Sequence, residues 1–305
     1  MSENSLLQAV GQPWLEAQVD AALREDLDKA GDITSAATVP ENRQGLAELI
    51  SKGEGILCGA DWASLCGDRT EPPVRWEFLV SDGEAVRPGQ VLARVYGPMR
   101  GILISERACL NGLGHLSGIA TAAAKAAELV KGTHAQVIDT RKTFPGWRLA
   151  EKYAVRCGGA GNHRIGLFDE ILIKENHVEA AGGVLPAVKA AKTWRSQQHN
   201  RSAIPIEVEV RNLGEFRSAL EAEPDRILLD NFALDAMREA VNLARGAVLL
   251  EASGGITLET LAEVAATGVD RISLGALTHS VVPLDLSLLV RSSADENPQP
   301  GSHHE

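Results

Sequence analysis

Cations crowd one stretch of this chain. Between Arg141 and Lys174 stand Arg141, Lys142, Arg148, Lys152, Arg156, Arg164 and Lys174, against Glu151, Asp169 and Glu170, with His163 beside Arg164. Seven cations less three carboxylates leave +4 in a chain whose formal net charge is −11. A guanidinium fork binds carboxylate or phosphate bidentately, and a lysine acts as a movable point charge. Several of them together call for a small, multiply anionic ligand. Arg148, Lys152 and Arg156 read as a mixed surface helix. Arg141, Lys142, His163, Arg164 and Lys174 flank glycine-rich turns and strand ends and are the candidates for ligand contact.

Carboxylates stand in the same neighbourhood. Glu207 and Glu209 are two apart on an apolar strand and share one face, so that face is not a plain core. Glu209 with Asp230 could hold Mg²⁺, which takes one or two carboxylates plus phosphate oxygens; a salt bridge to a nearby cation is the structural alternative. Two turns, Ser253-Gly-Gly-Ile256 and Ser273-Leu-Gly-Ala276, follow apolar runs. Backbone N–H groups at such turns bind phosphate. No Ser/His/Asp or Cys/His arrangement stands at a readable spacing, so Cys157 reads as a packing residue and not a nucleophile.

The elements that must position these groups alternate. Apolar strands are expected over 135–139, 170–174, 204–210, 226–230, 247–251 and 270–274, with helices near 147–157, 178–194, 212–222, 233–245 and 257–267. Near-continuous apolar strands in strict β-α alternation argue a parallel sheet. Polar groups recur at the C-terminal end of all six strands, which favours a (β/α) barrel of about six parallel strands, where those ends meet at one mouth. Upstream, residues 5–27 read as one amphipathic helix. Short apolar runs at 47–50, 55–58, 76–80, 91–96 and 101–104, separated by turns such as Ser81-Asp-Gly83 and Arg87-Pro-Gly89, read as a compact β-rich unit. A helical stretch is expected over 106–131. The run Val80–Val95 looks like half of a biotinyl or lipoyl carrier, but no lysine stands between Lys52 and Lys125, which excludes carrier chemistry. The tail from Ser292 is polar and reads as disordered.

Composition bounds the rest. Apolar residues make up 44% of the 305 and charged residues 23%, enough for a large core in one or two domains. The acidic balance argues against nucleic acid, which selects basic surfaces, and no apolar run reaches the roughly 18 residues of a membrane span. Residues 1–20 contain no basic residue, unlike a signal peptide. Cys58, Cys66, Cys109 and Cys157 form no C-x-x-C pair and read as free thiols of a reducing cytoplasm.

The run Asp139-Thr-Arg-Lys-Thr-Phe-Pro-Gly-Trp-Arg148, continued by Glu151-Lys-Tyr-Ala-Val155, Gly158-Gly-Ala-Gly-Asn-His-Arg164 and Leu172-Ile-Lys-Glu-Asn-His177, resembles quinolinate phosphoribosyltransferase, also called carboxylating nicotinate-nucleotide pyrophosphorylase. The resemblance extends to Glu25-Asp26, Gly31-Asp-Ile-Thr34, Ser105-Glu-Arg-Ala-Cys-Leu-Asn111, Ile206-Glu-Val-Glu209, Leu228-Leu-Asp-Asn231, Glu251-Ala-Ser-Gly-Gly-Ile256 and Ser273-Leu-Gly275. Phe144 departs where the family usually has a small polar residue, and Ala160 where glycine is common.

The resemblance implies an N-terminal α/β sandwich domain over 1–115, with 282–292 packing back on it. It implies a catalytic α/β barrel over 116–281; the polar residues 293–305 are expected to be a disordered tail on composition alone. It implies a cytoplasmic, Mg²⁺-dependent transferase that joins quinolinate to 5-phosphoribosyl-1-pyrophosphate in de novo NAD biosynthesis, releasing pyrophosphate and CO2. Arg141, His163, Arg164, Lys142 and Lys174 would meet quinolinate. Glu209 and Asp230 would engage the ribose and its metal, directly or through substrate and water. Ser253, Gly254, Gly255 and Gly275, with His279 close by, would receive the 5′-phosphate. Lys142, Lys174, Glu209 and Asp230 would be the catalytic set. Arg107 would come from the partner subunit of a homodimer, or of a higher oligomer, with a shared site.

Two rivals stay open at this stage. One is a pyrophosphorylase-like relative with a different base or a transport-associated role, which the number of cations disfavours. The other is a non-catalytic phosphate-binding barrel, which the Glu209/Asp230 pair disfavours.

Overall fold

The computed structural model describes residues 5–198 and 203–291. The expectation of a disordered tail over 293–305 lies outside the described residues. The chain divides into two compact units, one running to Thr121 and resuming at Val282, the other Ala122–Val281.

The first unit is built on an antiparallel sheet. Its strands are β1 (Gln44–Ser51), β3 (Arg75–Phe78) and β5 (Val91–Pro98), joined by the C-terminal strand Leu286–Arg291, in the order Leu286–Arg291, β1, β5, β3. The short strands β2 (Gly55–Ile56) and β4 (Ala85–Val86) pair separately. Along β1, Ala47, Leu49 and Ser51 are buried while the residues between them are half-exposed, the period of a sheet with one face on a core. The expected single helix over 5–27 is two, Leu6–Val10 and Gln12–Leu27, because Gly11 between them takes φ 79°.

Two features depart from a purely β-rich reading of this unit. Residues Ala60–Arg69 form a helix, whose first backbone N–H groups are met by the Asp82 carboxylate and whose Trp62 is buried, with its indole N–H donating to the Ala108 carbonyl at 2.8 Å. The run 101–104 is not a strand but the start of a 31-residue helix, Met99–Leu129. A short apolar run does not distinguish a buried strand from a buried helix. Here Gly101 lies against the Pro72 carbonyl, an approach that a side chain would block.

The second unit is the barrel. Its strands are β6 (Gln136–Ile138), β7 (Ile171–Ile173), β8 (Ile206–Val210), β9 (Arg226–Asp230), β10 (Leu249–Ser253) and β11 (Arg271–Ser273). All are parallel and run in the order β6, β11, β10, β9, β8, β7. The helices between them fall near the expected positions: Arg148–Cys157, Glu175–Ala181, Val184–Ser196, Leu213–Ala222, Leu234–Ala244 and Leu258–Ala265. The expected helix over 178–194 is divided at Gly182 and Gly183, whose φ values of 80° and 129° exclude a continuous helix. Ile206, Val208, Val210, Ile227, Leu229, Ala252 and Ile272 are all buried. The alternate positions on the same strands carry Glu207, Glu209, Asp230, Glu251 and Ser253. Period-2 alternation therefore separates an apolar face from a polar one even where both are covered.

Among the described residues, β6 and β7 are the two ends of this ladder and do not pair. The edge of β6 is taken instead by Gly161, a loop residue. Gly161 N–H donates to the Val137 carbonyl at 2.8 Å, and Asp139 N–H donates to the Gly161 carbonyl at 3.1 Å. A glycine suits this position, because a Cβ there would press on Gln136 and Ile138.

The apolar layer is well filled. Phe216, on Leu213–Ala222, is fully buried. Phe216→Ala is expected to cost about 3–5 kcal/mol, the range for emptying a buried phenylalanine site. Urea unfolding followed by circular dichroism reads this as a lower midpoint.

Candidate active site

A cavity of about 700 Å³ lies within the barrel unit, at the C-terminal ends of the strands. Arg141, Lys142, His163, Arg164, Lys174, Glu209, Asp230, Ser253, Gly254, Gly255, Gly275 and His279 all line it. Arg107 does not line it; it is exposed on the helix Met99–Leu129, in the other unit.

One side of the cavity follows β6. Arg141 is half-buried, and its Nε is buried without a hydrogen-bond partner. Lys142 is exposed, and its carbonyl accepts from Thr278 Oγ1 at 2.8 Å, which ties this turn to the one after β11. Arg148 is no free surface cation. Its Nε donates to Thr143 Oγ1 at 3.0 Å, its Nη1 to the Ile165 carbonyl at 3.1 Å and its Nη2 to the Arg141 carbonyl at 3.4 Å, so it staples two loops. Lys152 corrects the surface-helix reading outright: it is 1% exposed and its Nζ lies 2.6 Å from Asp139 Oδ1. Arg156 alone of the three stays exposed, over the Tyr153 ring.

His163 and Arg164 come from the loop along the β6 edge, and both are 8% exposed. Arg164 Nη1 donates to the Glu170 carbonyl at 3.2 Å, and its Nε has no partner. Burial, and then the charge of Arg141, lower the Arg164 pKa from its ordinary value. Two guanidinium groups that repel each other at one wall are relieved by an anion placed between them.

His163 Nδ1 accepts the Arg164 backbone N–H at 2.7 Å. A neutral imidazole then carries its proton on Nε2. That atom faces Glu207 Oε2 at 3.6 Å and Glu251 Oε1 at 3.5 Å. His163, Glu207 and Glu251 have the spacing of a metal cluster. This tautomer leaves Nε2 no lone pair to offer a metal, and at these distances it makes no hydrogen bond to either carboxylate. Burial pushes the His163 pKa down to about 4, against the charge of Glu170, so the ring is neutral near pH 7.

Beneath this ring lies a layer that the polar strand ends do not reveal. Glu207 is in register with Arg226, and Glu251 with Arg271. Glu170 pairs with Arg226 at 3.0 Å. Glu207 and Glu251 are wholly buried. Their types in the middle of apolar strands were a readable signal. The pairing of Glu170 with Arg226 and of Glu251 with Arg271, arginines that begin strands, was not.

The opposite wall carries the acidic and glycine-rich groups. Lys174 Nζ bonds Glu209 Oε2 at 2.8 Å, joining the ends of β7 and β8. Asp230 Oδ2 accepts from Asn231 Nδ2 at 3.1 Å. Gly254 has φ 93° and faces the Asn231 amide so closely that no side chain fits. Gly275 lies where a Cβ would stand 3.2 Å from both Lys142 Cδ and His279 Cδ2. These glycines leave backbone open to the cavity, as phosphate binding requires. Glu209 and Asp230 fit Mg²⁺ by donor type, as two carboxylate groups beside a phosphate-suited wall.

Fold and cavity define a parallel (β/α) barrel protein built to take a small polyanion at its mouth. Comparison with known proteins names the group. Residues 119–289 match the family profile "Quinolinate phosphoribosyl transferase, C-terminal domain", and residues 32–117 the corresponding N-terminal domain. The chain is 43% identical over 272 residues to the carboxylating nicotinate-nucleotide pyrophosphorylase of Mycobacterium leprae, covering 88% of this chain and 94% of that one. It is 38% identical over 291 residues to the chloroplastic enzyme of that name from Oryza sativa subsp. japonica, covering 90% and 77%. The solved nicotinate-nucleotide pyrophosphorylase of Francisella tularensis superposes with a TM-score of 0.86 at 42% identity, covering 92% and 96%. The chain belongs to the quinolinate phosphoribosyl transferase family.

Glu251 makes this site's stability sensitive to pH. Burial pushes its pKa up to about 7, against the charge of Arg271. His163, Glu170, Glu207, Arg226 and Arg271 are its charged or titratable surroundings. A carboxyl raised above its unfolded value holds its proton longer in the folded state. Its contribution is complete below the ordinary carboxylate range and is lost as pH rises through about 7. Glu251→Gln is therefore expected to reduce the loss of stability between about pH 5 and pH 8 by on the order of 1–3 kcal/mol. Urea unfolding at both pH values measures it, and identical pH slopes in the two proteins would refute it.

Proposed function

We propose that this cavity carries out decarboxylating phosphoribosyl transfer, converting quinolinate and 5-phosphoribosyl-1-pyrophosphate to nicotinate mononucleotide, pyrophosphate and CO2 in de novo NAD biosynthesis. The observation that carries the assignment of substrates to walls is the division of the cavity. Arg141 and Arg164, each with an unpartnered Nε, stand on one side, and carboxylates with glycine turns stand on the other. A dicarboxylate fits the first side. A phosphorylated sugar fits the second.

In this reading Arg141, Arg164 and Lys174 hold the quinolinate carboxylates, with Lys142 and His163 beside them. Ser253, Gly254, Gly255 and Gly275 receive the 5′-phosphate, near His279. The quinolinate nitrogen attacks ribose C1 as the bond from C1 to pyrophosphate breaks. Glu209 and Asp230 face the positive charge that develops at C1 and stabilise it electrostatically. The ring nitrogen is then cationic. It stabilises the electron pair left on the neighbouring carbon when CO2 departs, and a proton takes up that pair. No protein nucleophile is needed. Glu209 and Asp230 would hold Mg²⁺, directly or through substrate and water, and the ion would supply positive charge to offset that on the leaving pyrophosphate. Lys174, bonded to Glu209 at 2.8 Å, must exchange that partner for substrate, so the two halves of the site are coupled through one ion pair.

The proposal includes a homodimer, in which Arg107 of one subunit completes the site of the other. The exposed position of Arg107 on its helix leaves it accessible to a partner. It also includes a cytoplasmic location, supported by four cysteines with no disulfide among them. Among the described residues no helix is long and apolar enough to cross a membrane.

Incubation with the phosphoribosyl donor, Mg²⁺ and either quinolinate or nicotinate decides the main claim. Nicotinate mononucleotide should form from quinolinate, and its absence would sink the assignment. Arg164→Ala is expected to lower kcat/KM for quinolinate by about 100-fold or more, the size of a lost charge-assisted hydrogen-bond pair. For the shared site, inactive Arg107→Ala and Lys174→Ala proteins should regain part of the activity when mixed. Demonstrated subunit exchange with no recovery would count against it.

A further inference from the structure

The cavity depends on two side chains, His163 and Arg164, that belong to no helix or strand. The loop bearing them has one bridge to β6, at Gly161. What fixes it further is a pair of residues that do not line the cavity. Asp139 follows β6 directly and is wholly buried. Its Oδ1 accepts the His163 N–H at 2.8 Å and Lys152 Nζ at 2.6 Å, and its Oδ2 accepts Asn162 Nδ2 at 2.8 Å. Lys152 Nζ also donates to the His163 carbonyl at 2.9 Å. Both backbone polar groups of His163 are thus held by one buried ion pair. Arg141 stands two residues beyond Asp139, so the same anchor governs both ends of the cationic wall.

A buried ion pair is not explained by stability, since two apolar residues of similar volume often serve as well. Apolar side chains, though, offer no acceptor to the His163 N–H and no donor to its carbonyl. We propose that Asp139 and Lys152 are positioning residues for the dicarboxylate: they clamp the His163 peptide groups and so place the Arg164 guanidinium and the His163 ring against the anion. This rests on the assignment of quinolinate to that wall. It implies that removing the pair affects quinolinate and leaves the phosphoribosyl donor, which meets the opposite wall, nearly untouched. Burial raises the Asp139 pKa and lowers that of Lys152, each opposed by the other's charge, as expected of a pair that needs both members.

The test compares Lys152→Met, Asp139→Asn and the doubly apolar Asp139→Leu/Lys152→Met in the full-length protein, by steady-state kinetics and thermal unfolding. Lys152→Met leaves a buried carboxylate unpaired and should lower Tm. The double variant should recover part of that Tm, because no lone charge remains although the His163 peptide groups still lack partners. Its KM for quinolinate should nevertheless stay at least tenfold raised, with KM for the phosphoribosyl donor within about twofold of wild type. Lys152→Arg, which keeps the cation, should return part of the quinolinate affinity. A double variant with wild-type KM for quinolinate would overturn the proposal. So would equal losses for both substrates, or failure of every variant to fold, since each makes the pair structural only. Absence of product from the wild-type protein would instead overturn the functional assignment itself.

Discussion

A charge inside a low-dielectric barrel survives only if its partners are placed there with it, and that constraint shapes the whole catalytic unit. The floor of the site holds Glu170, Glu207, Glu251, Arg226, Arg271 and His163 within a few ångströms of one another. Glu170 is met by Arg226 at 3.0 Å and Glu251 by Arg271 at 3.7 Å. Glu207, in register with Arg226, has no hydrogen-bond partner on either carboxylate oxygen, and burial raises its pKa well above the ordinary carboxylate value. Shifting one strand by one residue would turn these carboxylates into the helix layer, so the charges also specify the register.

The same rule operates at the seam of the barrel. The ladder ends at β6 and β7 without pairing them. A loop fills the β6 edge, and that loop carries the residues that read the ligand. Loops are where binding residues gather, provided a rigid scaffold holds them. Here the scaffold is the end of β6, through Asp139, and the helix Arg148–Cys157, through Lys152 and Arg148. The helix whose cations read as a solvated face in fact turns two of them inward to hold loops. That is why an overall net charge of −11 coexists with a cationic wall: the cations are concentrated on and beneath one side of one cavity.

The two walls answer two chemistries. Guanidinium and ammonium groups suit carboxylates; open backbone at Gly254, Gly255 and Gly275 suits phosphate. Lys174 and Glu209 connect them, and their mutual pairing satisfies both before a ligand competes for either.

Much of this was legible in the sequence. Apolar strands alternating with helices gave six strands close to their observed bounds, because burial on both faces leaves an unmistakable apolar run. Polar residues at the ends of those runs located nine of the twelve expected cavity-lining residues, because parallel strands must deliver their ends to one side; His163 and Arg164 came from the cation-rich segment and His279 from the family resemblance. What the sequence could not decide were matters of contact. Residues 101–104 open the helix Met99–Leu129, and Gly101 lets that helix approach the Pro72 carbonyl, a contact that no local pattern encodes. Lys152 is buried because Asp139 and the His163 carbonyl, thirteen residues before it and eleven after it, converge on its ammonium group. The residue types set which chemistry was possible. Only the tertiary structure decided which charge meets which, because pairing depends on distances that strand register and loop closure set and that spacing along the chain does not.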